Sequence, residues 1–382
     1  MDSSSCKRGR VIRVGTRKSQ LAMIQTETVV NKLKRFYINN SDDDQQVDFD
    51  IVPMSTAGDK ILDKPLPEIG AKSLFTKELE VALLNGKVDM IVHSLKDMPT
   101  TLPDGCVIGA VMKRDDPNDV IVMKESLRTL INPVDLLLGR CNSDKNDQIF
   151  KIGTSSQRRI AMIRRCNENL DCIDIRGNLN TRLAQLDRDE SEYTAIILAK
   201  AGLDRMDWSD RVSTILSPEN QPELTDWFYA VGQGAIAVEC RLHDESMLKV
   251  LEPIVDLKTT HEVVAERSFM KKLEGGCSVP LGVRSTWQDN DFTLRCGLLS
   301  LDGKQMIKAD GTVRLSDAGR QVADLESSKP EYHPLLTGIT LPGTFAKEPR
   351  VMMSMNKCSD LGVEVANKVI DQGGLEIIKR LR

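Results

Sequence analysis

Through its first two-thirds the chain alternates short apolar runs of β type with longer stretches of helical period. That pattern commits it to strands laid side by side and joined by crossover helices. Arg10 to Val14 reads as a strand and Ser19 to Lys34 as a helix, with Leu21, Ile24, Thr28 and Leu33 near helical spacing. Phe49 to Met54 is a second strand, Leu74 to Leu84 a helix with Ser73 as its N-cap, and Val88 to Val92 a buried-type strand. A second unit follows a Pro- and Asn-rich stretch from Asn132 to Asp147. Its strands are Ile149 to Ile152, Cys172 to Ile175 and Ala195 to Ala199, and its helices are Arg158 to Cys166 and Leu179 to Asp187, the latter N-capped by Asn178. The turn Val231-Gly232-Gln233-Gly234 leads back into a strand, Ala235 to Glu239. The expectation is an α/β fold with largely parallel sheets and loops at the strand ends.

The last third changes character. A helix from His261 to Leu273 runs into Glu274-Gly275-Gly276-Cys277-Ser278-Val279-Pro280, followed by strands at Phe292 to Leu299 and Gln305 to Arg314. A terminal helix carries Leu361, Val365 and Val369 on one face, and Ser327 to Pro349 reads as a loop. At 382 residues the chain calls for two or three domains.

Several classes are excluded by composition. No window approaches 18 uninterrupted apolar residues, so no membrane span is expected. Met1 to Arg10 is polar and basic without an apolar core, so a secretory signal is not expected and the cytoplasm is the expected location. The nine cysteines form no CxxC pair, and the four histidines stand at no zinc-ligand spacing, which predicts free thiols and no metal. A net charge of −4 argues against a nucleic-acid binder. Yet Lys151, Arg158, Arg159, Arg164, Arg165, Arg176 and Arg182 crowd a stretch whose acids are only Glu168, Asp171 and Asp174. Arginine concentrated in an acidic protein points to a small anionic ligand.

Three constellations carry chemistry. Gly153-Thr154-Ser155-Ser156 links a strand to a helix start, with Arg158 and Arg159 directly behind it, which makes an anion site or, more plainly, an ordinary N-cap with solvated arginines. Arg176 and Arg182 bracket a second strand-to-helix turn and favour a ligand with several carboxylates. Lys96-Asp97 stands where a buried strand ends, the place where open α/β sheets bind ligands, although a surface pair in a turn would look the same. Gly275 and Gly276 leave room for a bulky group beside the Cys277 sulfur, while most lone cysteines are small buried hydrophobes.

Seven segments, in order, resemble the motifs of the porphobilinogen deaminase family. They are Val14-Gly15-Thr16-Arg17-Lys18-Ser19-Gln20-Leu21-Ala22, Lys72 to Glu80, His93 to Pro99, Gly153 to Arg159, Ile175 to Arg182, Gly232-Gln233-Gly234-Ala235 and Leu273 to Pro280. The resemblance implies two α/β domains similar to type II periplasmic binding proteins plus a smaller α+β C-terminal domain. It places domain one at residues 1–114 and 232–255, domain two at 115–231 and domain three at 256–382. It implies a monomeric transferase in which Cys277 bonds a dipyrromethane cofactor through a thioether, and in which four porphobilinogen units are deaminated, linked head to tail and released as hydroxymethylbilane. Arg17, Ser19, Arg158, Arg159, Arg176 and Arg182 would hold cofactor and substrate carboxylates, with Ser94, Lys96, Thr154 and Ser156 assisting. Asp97, beside Lys96, would stabilise positive pyrrole nitrogens and help proton transfer. Phe75 would cover the reacting ring, and Gln233 would lie at the inter-domain hinge against substrate. Gln157 departs from the family's usual Leu and Ala237 from its common Gly, and neither removes a catalytic group. A solute-binding module or a ligand sensor would share the two-domain core, but the first lacks a reason for the Gly-Gly-Cys loop and the second needs a DNA-binding segment that is not found before Val11.

Overall fold

The computed structural model describes residues 10–40, 47–60, 75–141, 150–274, 279–315 and 337–381. Its strands, in chain order, are β1 (Arg10–Arg17), β2 (Val47–Met54), β3 (Met90–Ser94), β4 (Cys106–Val111), β5 (Asp119–Met123), β6 (Lys151–Gly153), β7 (Asp171–Ile173), β8 (Ala195–Ala199), β9 (Thr214–Leu216), β10 (Ile236–Arg241), β11 (Leu281–Gln288), β12 (Asp291–Leu299) and β13 (Met306–Arg314). They form three sheets, in the orders β2-β1-β3-β10-β4, β7-β6-β8-β5-β9 and β11-β12-β13.

The two five-stranded sheets are one design used twice. In each, three parallel strands are followed by an antiparallel strand and then an edge strand: β10 is antiparallel to β3 and β4, and β5 to β8 and β9. The antiparallel strand is donated by the chain as it crosses between lobes, first from β4 to β5 and then from β9 to β10. The expected architecture of two type II periplasmic-binding-protein-like lobes and a small third unit is therefore present. The expectation of largely parallel sheets needs correcting to mixed sheets, because a strand that enters directly from the other lobe has no crossover helix to set it parallel.

Other differences are local. The strand read as Val88 to Val92 is Met90–Ser94, and Leu95–Asp97 forms a single 3₁₀ turn after it. The helix read from Leu74 is described as Lys77–Leu84 with Thr76 before it, and Ser73 lies outside the described residues. Asn178 stands at the N-cap of Leu179–Asp187 without a side-chain cap bond. The first helix of the third unit begins at Leu257 rather than His261, because Asp256 caps it by accepting from the Thr259 N–H at 2.8 Å. Within the stretch read as a loop, Ile339 bridges to Ile108 and Gly343–Ala346 is a short helix.

Each sheet buries its own core, with Ile12, Val14, Leu33 and Val238 in the first lobe, Ile121, Ile152, Ala195 and Leu216 in the second, and Phe292, Leu294, Val365 and Val369 in the third. The first lobe also buries charge. Glu80, on the helix Lys77–Leu84, is 3% exposed near Glu239 (0%) and His93 (6%), and His93 Nε2 meets Glu239 Oε2 at 2.9 Å. Oε1 of both glutamates lacks a hydrogen-bond partner among the described residues. Burial, and to a smaller degree the Glu239 charge, push the Glu80 carboxyl above its ordinary value. A folded-state value above the unfolded one favours the fold at low pH and weakens it as pH rises from about 4.3 through the folded value. Glu80→Gln is therefore expected to be more stable than the parent by on the order of 1 kcal/mol at pH 8, with the difference vanishing near pH 4. Urea unfolding at the two pH values checks this, and a pH-independent difference refutes it.

Candidate cofactor and substrate cleft

Most of the predicted site residues that the structure describes follow the carboxyl ends of the parallel strands β1, β3, β6 and β7. β1 ends at Arg17, whose guanidinium pairs with Asp59 and lies 4.4 Å from the centroid of the Phe75 ring. Asp59 is itself fixed by donation from the Thr56 N–H at 3.1 Å and hydroxyl at 2.8 Å. The ring passes so near Gly58 that a Cβ there would lie 2.3 Å from a ring carbon, so only glycine permits the stack. Ser19 opens the first helix and accepts from the Ala22 N–H at 3.4 Å. β3 ends at Ser94, which shares a hydrogen bond with Gln25 at 2.9 Å. The 3₁₀ turn then presents Lys96, half-buried, and Asp97, exposed.

From the second lobe, β6 leads to buried Thr154, and the Ser155 hydroxyl donates to the Ile175 carbonyl at 2.6 Å. Ser156 caps the helix Gln157–Cys166 by accepting from the Arg159 N–H at 3.5 Å. β7 leads to Arg176, paired with Asp174, and Arg182 donates from Nε to the Gly177 carbonyl at 2.9 Å.

The two halves share one electrostatic field. Burial pushes Lys96 down to about 8; Arg159 and Arg182 add to that and Asp97 and Asp119 oppose it. Burial likewise brings Arg182 down to about 10, with Arg159 and Arg176 acting the same way and Asp97 opposing. Residues of the first lobe thus feel charges of the second across the gap. Cations that depress one another in a partly desolvated place are stabilised by an anion with several carboxylates.

Arg158 and Arg159 are placed differently from the other arginines. They are 5% and 7% exposed and converge on Asp119, the first residue of β5. Arg158 donates from Nη1 to Oδ2 at 2.7 Å and from Nη2 to Oδ1 at 3.3 Å, while Arg159 donates to Oδ1 from Nε at 3.1 Å and from Nη2 at 2.7 Å. Gln233, 1% exposed, donates its amide to Asp119 Oδ1 at 2.9 Å and to the Pro117 carbonyl at 2.6 Å, so it joins the two interlobe crossovers. Asp119 was not legible in the sequence: it is a lone acid before an apolar run, 39 and 40 residues from its partners. Cys277 lies outside the described residues. Among the described residues, no group of three His, Cys, Asp or Glu side chains could hold a metal, and no helix is long and apolar enough to cross a membrane.

Fold and site together define a two-lobed α/β protein whose interlobe cleft is cationic and carries the exposed carboxylate of Asp97. Residues 12–249 match the family model described as porphobilinogen deaminase, dipyromethane cofactor binding domain, and residues 260–325 match the porphobilinogen deaminase C-terminal domain. The chain is 44% identical over 299 residues to the porphobilinogen deaminase of Synechococcus elongatus, covering 78% of this chain and 85% of that one. It is 37% identical over 371 residues to that of Desulforamulus reducens, covering 97% and 98%. Among solved structures, the periplasmic nitrate-binding protein NrtA from Synechocystis PCC 6803 overlaps with a TM-score of 0.32 at 10% identity, covering 70% of this chain and 64% of that one. This chain belongs to the porphobilinogen deaminase family.

Proposed function

We propose that the chain deaminates porphobilinogen, joins four units head to tail on a dipyrromethane cofactor bound at Cys277, and releases hydroxymethylbilane. The observation that carries the reading is the meeting of Asp97 with Lys96, Arg159 and Arg182 in one field across the cleft. The donor set fits the cofactor: two linked pyrroles bring two acetates and two propionates, and the cleft offers Arg17, Arg176, Arg182 and Lys96 with the hydroxyls of Ser19, Ser94, Thr154 and Ser156. When bound, the group supplies the terminal pyrrole carbon to which each new unit is added.

The chain's own residues do the rest. The guanidiniums orient the ring side chains by bidentate pairing. Asp97, exposed at the cleft, would stabilise the positive charge that develops on a pyrrole nitrogen when ammonia leaves and would accept the proton released when aromaticity returns. Lys96 beside it neutralises a carboxylate while protonated. Phe75, held beneath Arg17, would cover the reacting ring, and buried Gln233 would serve the hinge between lobes.

The three sheets support a division into domain one at residues 1–114 and 232–255, domain two at 115–231 and domain three at 256–382. The seven cysteines among the described residues are free thiols, which suits the cytoplasm. A monomer is the expected state. The test is conversion: purified protein supplied with porphobilinogen should release ammonia and a linear tetrapyrrole in a ratio of about four to one, set by the four-unit product. No consumption of porphobilinogen by protein carrying the cofactor would refute the reading.

A further inference from the structure

Asp119 receives more donors than any ligand-facing group described so far, and none of them is a surface contact. Besides the two arginines and the Gln233 amide, the Trp227 indole N–H donates to Oδ2 at 3.1 Å. Asp119 is 0% exposed and Trp227 2% exposed. Arg158 and Arg159 come from the helix that opens the anion turn, whereas Trp227 and Gln233 come from the return crossover. Asp119 itself begins the strand that ends the outgoing crossover. The arginines also bind backbone: Arg158 Nη1 donates to the Phe228 carbonyl at 2.5 Å and Arg159 Nη1 to the Ile197 carbonyl at 2.8 Å. Two guanidiniums against one carboxylate leave one positive charge at the cleft floor.

We propose that Asp119 is a positioning residue for the reaction: it clamps the Arg158–Arg159 pair to the interlobe crossovers and sets how much of their positive charge reaches Lys96 and the ligand. Without the clamp, two desolvated guanidiniums would repel each other and lose the orientation from which a carboxylate is met. The clamp also passes through Gln233, whose other hydrogen bond goes to Pro117 on the outgoing crossover. There the crossovers touch closely: at Gly234, with φ of +85°, a Cβ would lie 2.5 Å from the Asp115 carbonyl oxygen. Lobe geometry and arginine geometry are thus set by the same few atoms.

The groups that act on Lys96 are Asp97 in its own turn, Asp119 on β5, Arg159 behind the anion turn and Arg182 on the next helix. Replacing Asp119 by Asn removes a neighbouring negative charge and leaves more uncompensated positive charge. Protonated Lys96 is then less favoured, and the alkaline limb that follows its deprotonation moves to lower pH.

The proposal rests on the function proposed above, and the experiment separates the two. Cofactor-bearing parent protein that fails to consume porphobilinogen refutes the function. With an active parent, Asp119→Asn is compared in three readouts. The alkaline limb of kcat/KM should lie at lower pH than the parent's by on the order of one pH unit. KM for porphobilinogen should rise about tenfold with a smaller change in kcat. The fraction of folded protein carrying the two-pyrrole mass surplus should drop. A structural role alone would lower the yield of folded protein and leave the limb and KM of the loaded fraction where they were, and that result overturns the proposal. Should Asp119→Asn not fold, Gln233→Met removes one donor to the same carboxylate while its ion pairs remain. A raised KM with an unmoved limb then supports the clamp, and parental KM overturns it.

Discussion

Asp97→Ala is expected to fold, to keep its cofactor mass, and to turn over porphobilinogen 10²–10³-fold more slowly, about 2.7–4 kcal/mol of lost barrier reduction. The side chain is exposed at the end of a single 3₁₀ turn, and its removal takes away no core contact. The loss falls on the reacting charge. Asp97 is the carboxylate that opposes the depression of both Lys96 and Arg182, so the first lobe sets a negative group into a cationic cleft. A positive charge developing on a pyrrole nitrogen there has cations around it and needs that carboxylate more than it would in water. Cofactor attachment depends on the arginines and the thiol and should survive. Turnover within threefold of the parent, at equal cofactor content, would remove Asp97 from its proposed role.

Cys277→Ser should abolish the two-pyrrole mass surplus altogether. Thioether formation needs a thiolate-competent sulfur, and a serine hydroxyl offers no comparable nucleophile at neutral pH. The described cysteines are poor competitors. Burial pushes the thiols of Cys166 and Cys172 up to about 11 and those of Cys106, Cys240 and Cys296 up to about 12. Cys141 and Cys358 are raised as well. Intact mass decides the matter: the surplus should be present in the parent, absent in Cys277→Ser and retained in Cys166→Ser. A Cys277→Ser protein with the full surplus would place the attachment elsewhere.

How far the sequence spoke depended on whether the signal was local. Ala195–Ala199 and Leu179–Asp187 were readable to the residue, since each is bounded by its own punctuation. β4 and β5 went unread: CVIGAV and DVIVM are buried on both faces and show no alternation. β9 is only three residues long, and β11 begins directly after the Cys277 loop. At the site, the arginines and Lys96-Asp97 announced themselves by charge at strand ends. What could not be read was partnership across the chain: Asp59 beneath Arg17, 42 residues away, and Asp119 beneath the arginine pair. Motif spacing names the groups that touch a ligand, whereas the groups that aim them are chosen by topology.

The exchange of strands between lobes has a consequence for how the protein is made. The second sheet has all five of its strands once Leu216 has been synthesised, but the first lacks the strand between β3 and β4 until Arg241 has emerged. During synthesis the amino-terminal lobe must therefore wait with an open seam, exposing the facing edges of β3 and β4, while its neighbour closes. A ribosome stalled between these two points would carry one lobe whose sheet is complete and one whose sheet is open and sticky, and of the two sheets the one begun first would be the last to be completed.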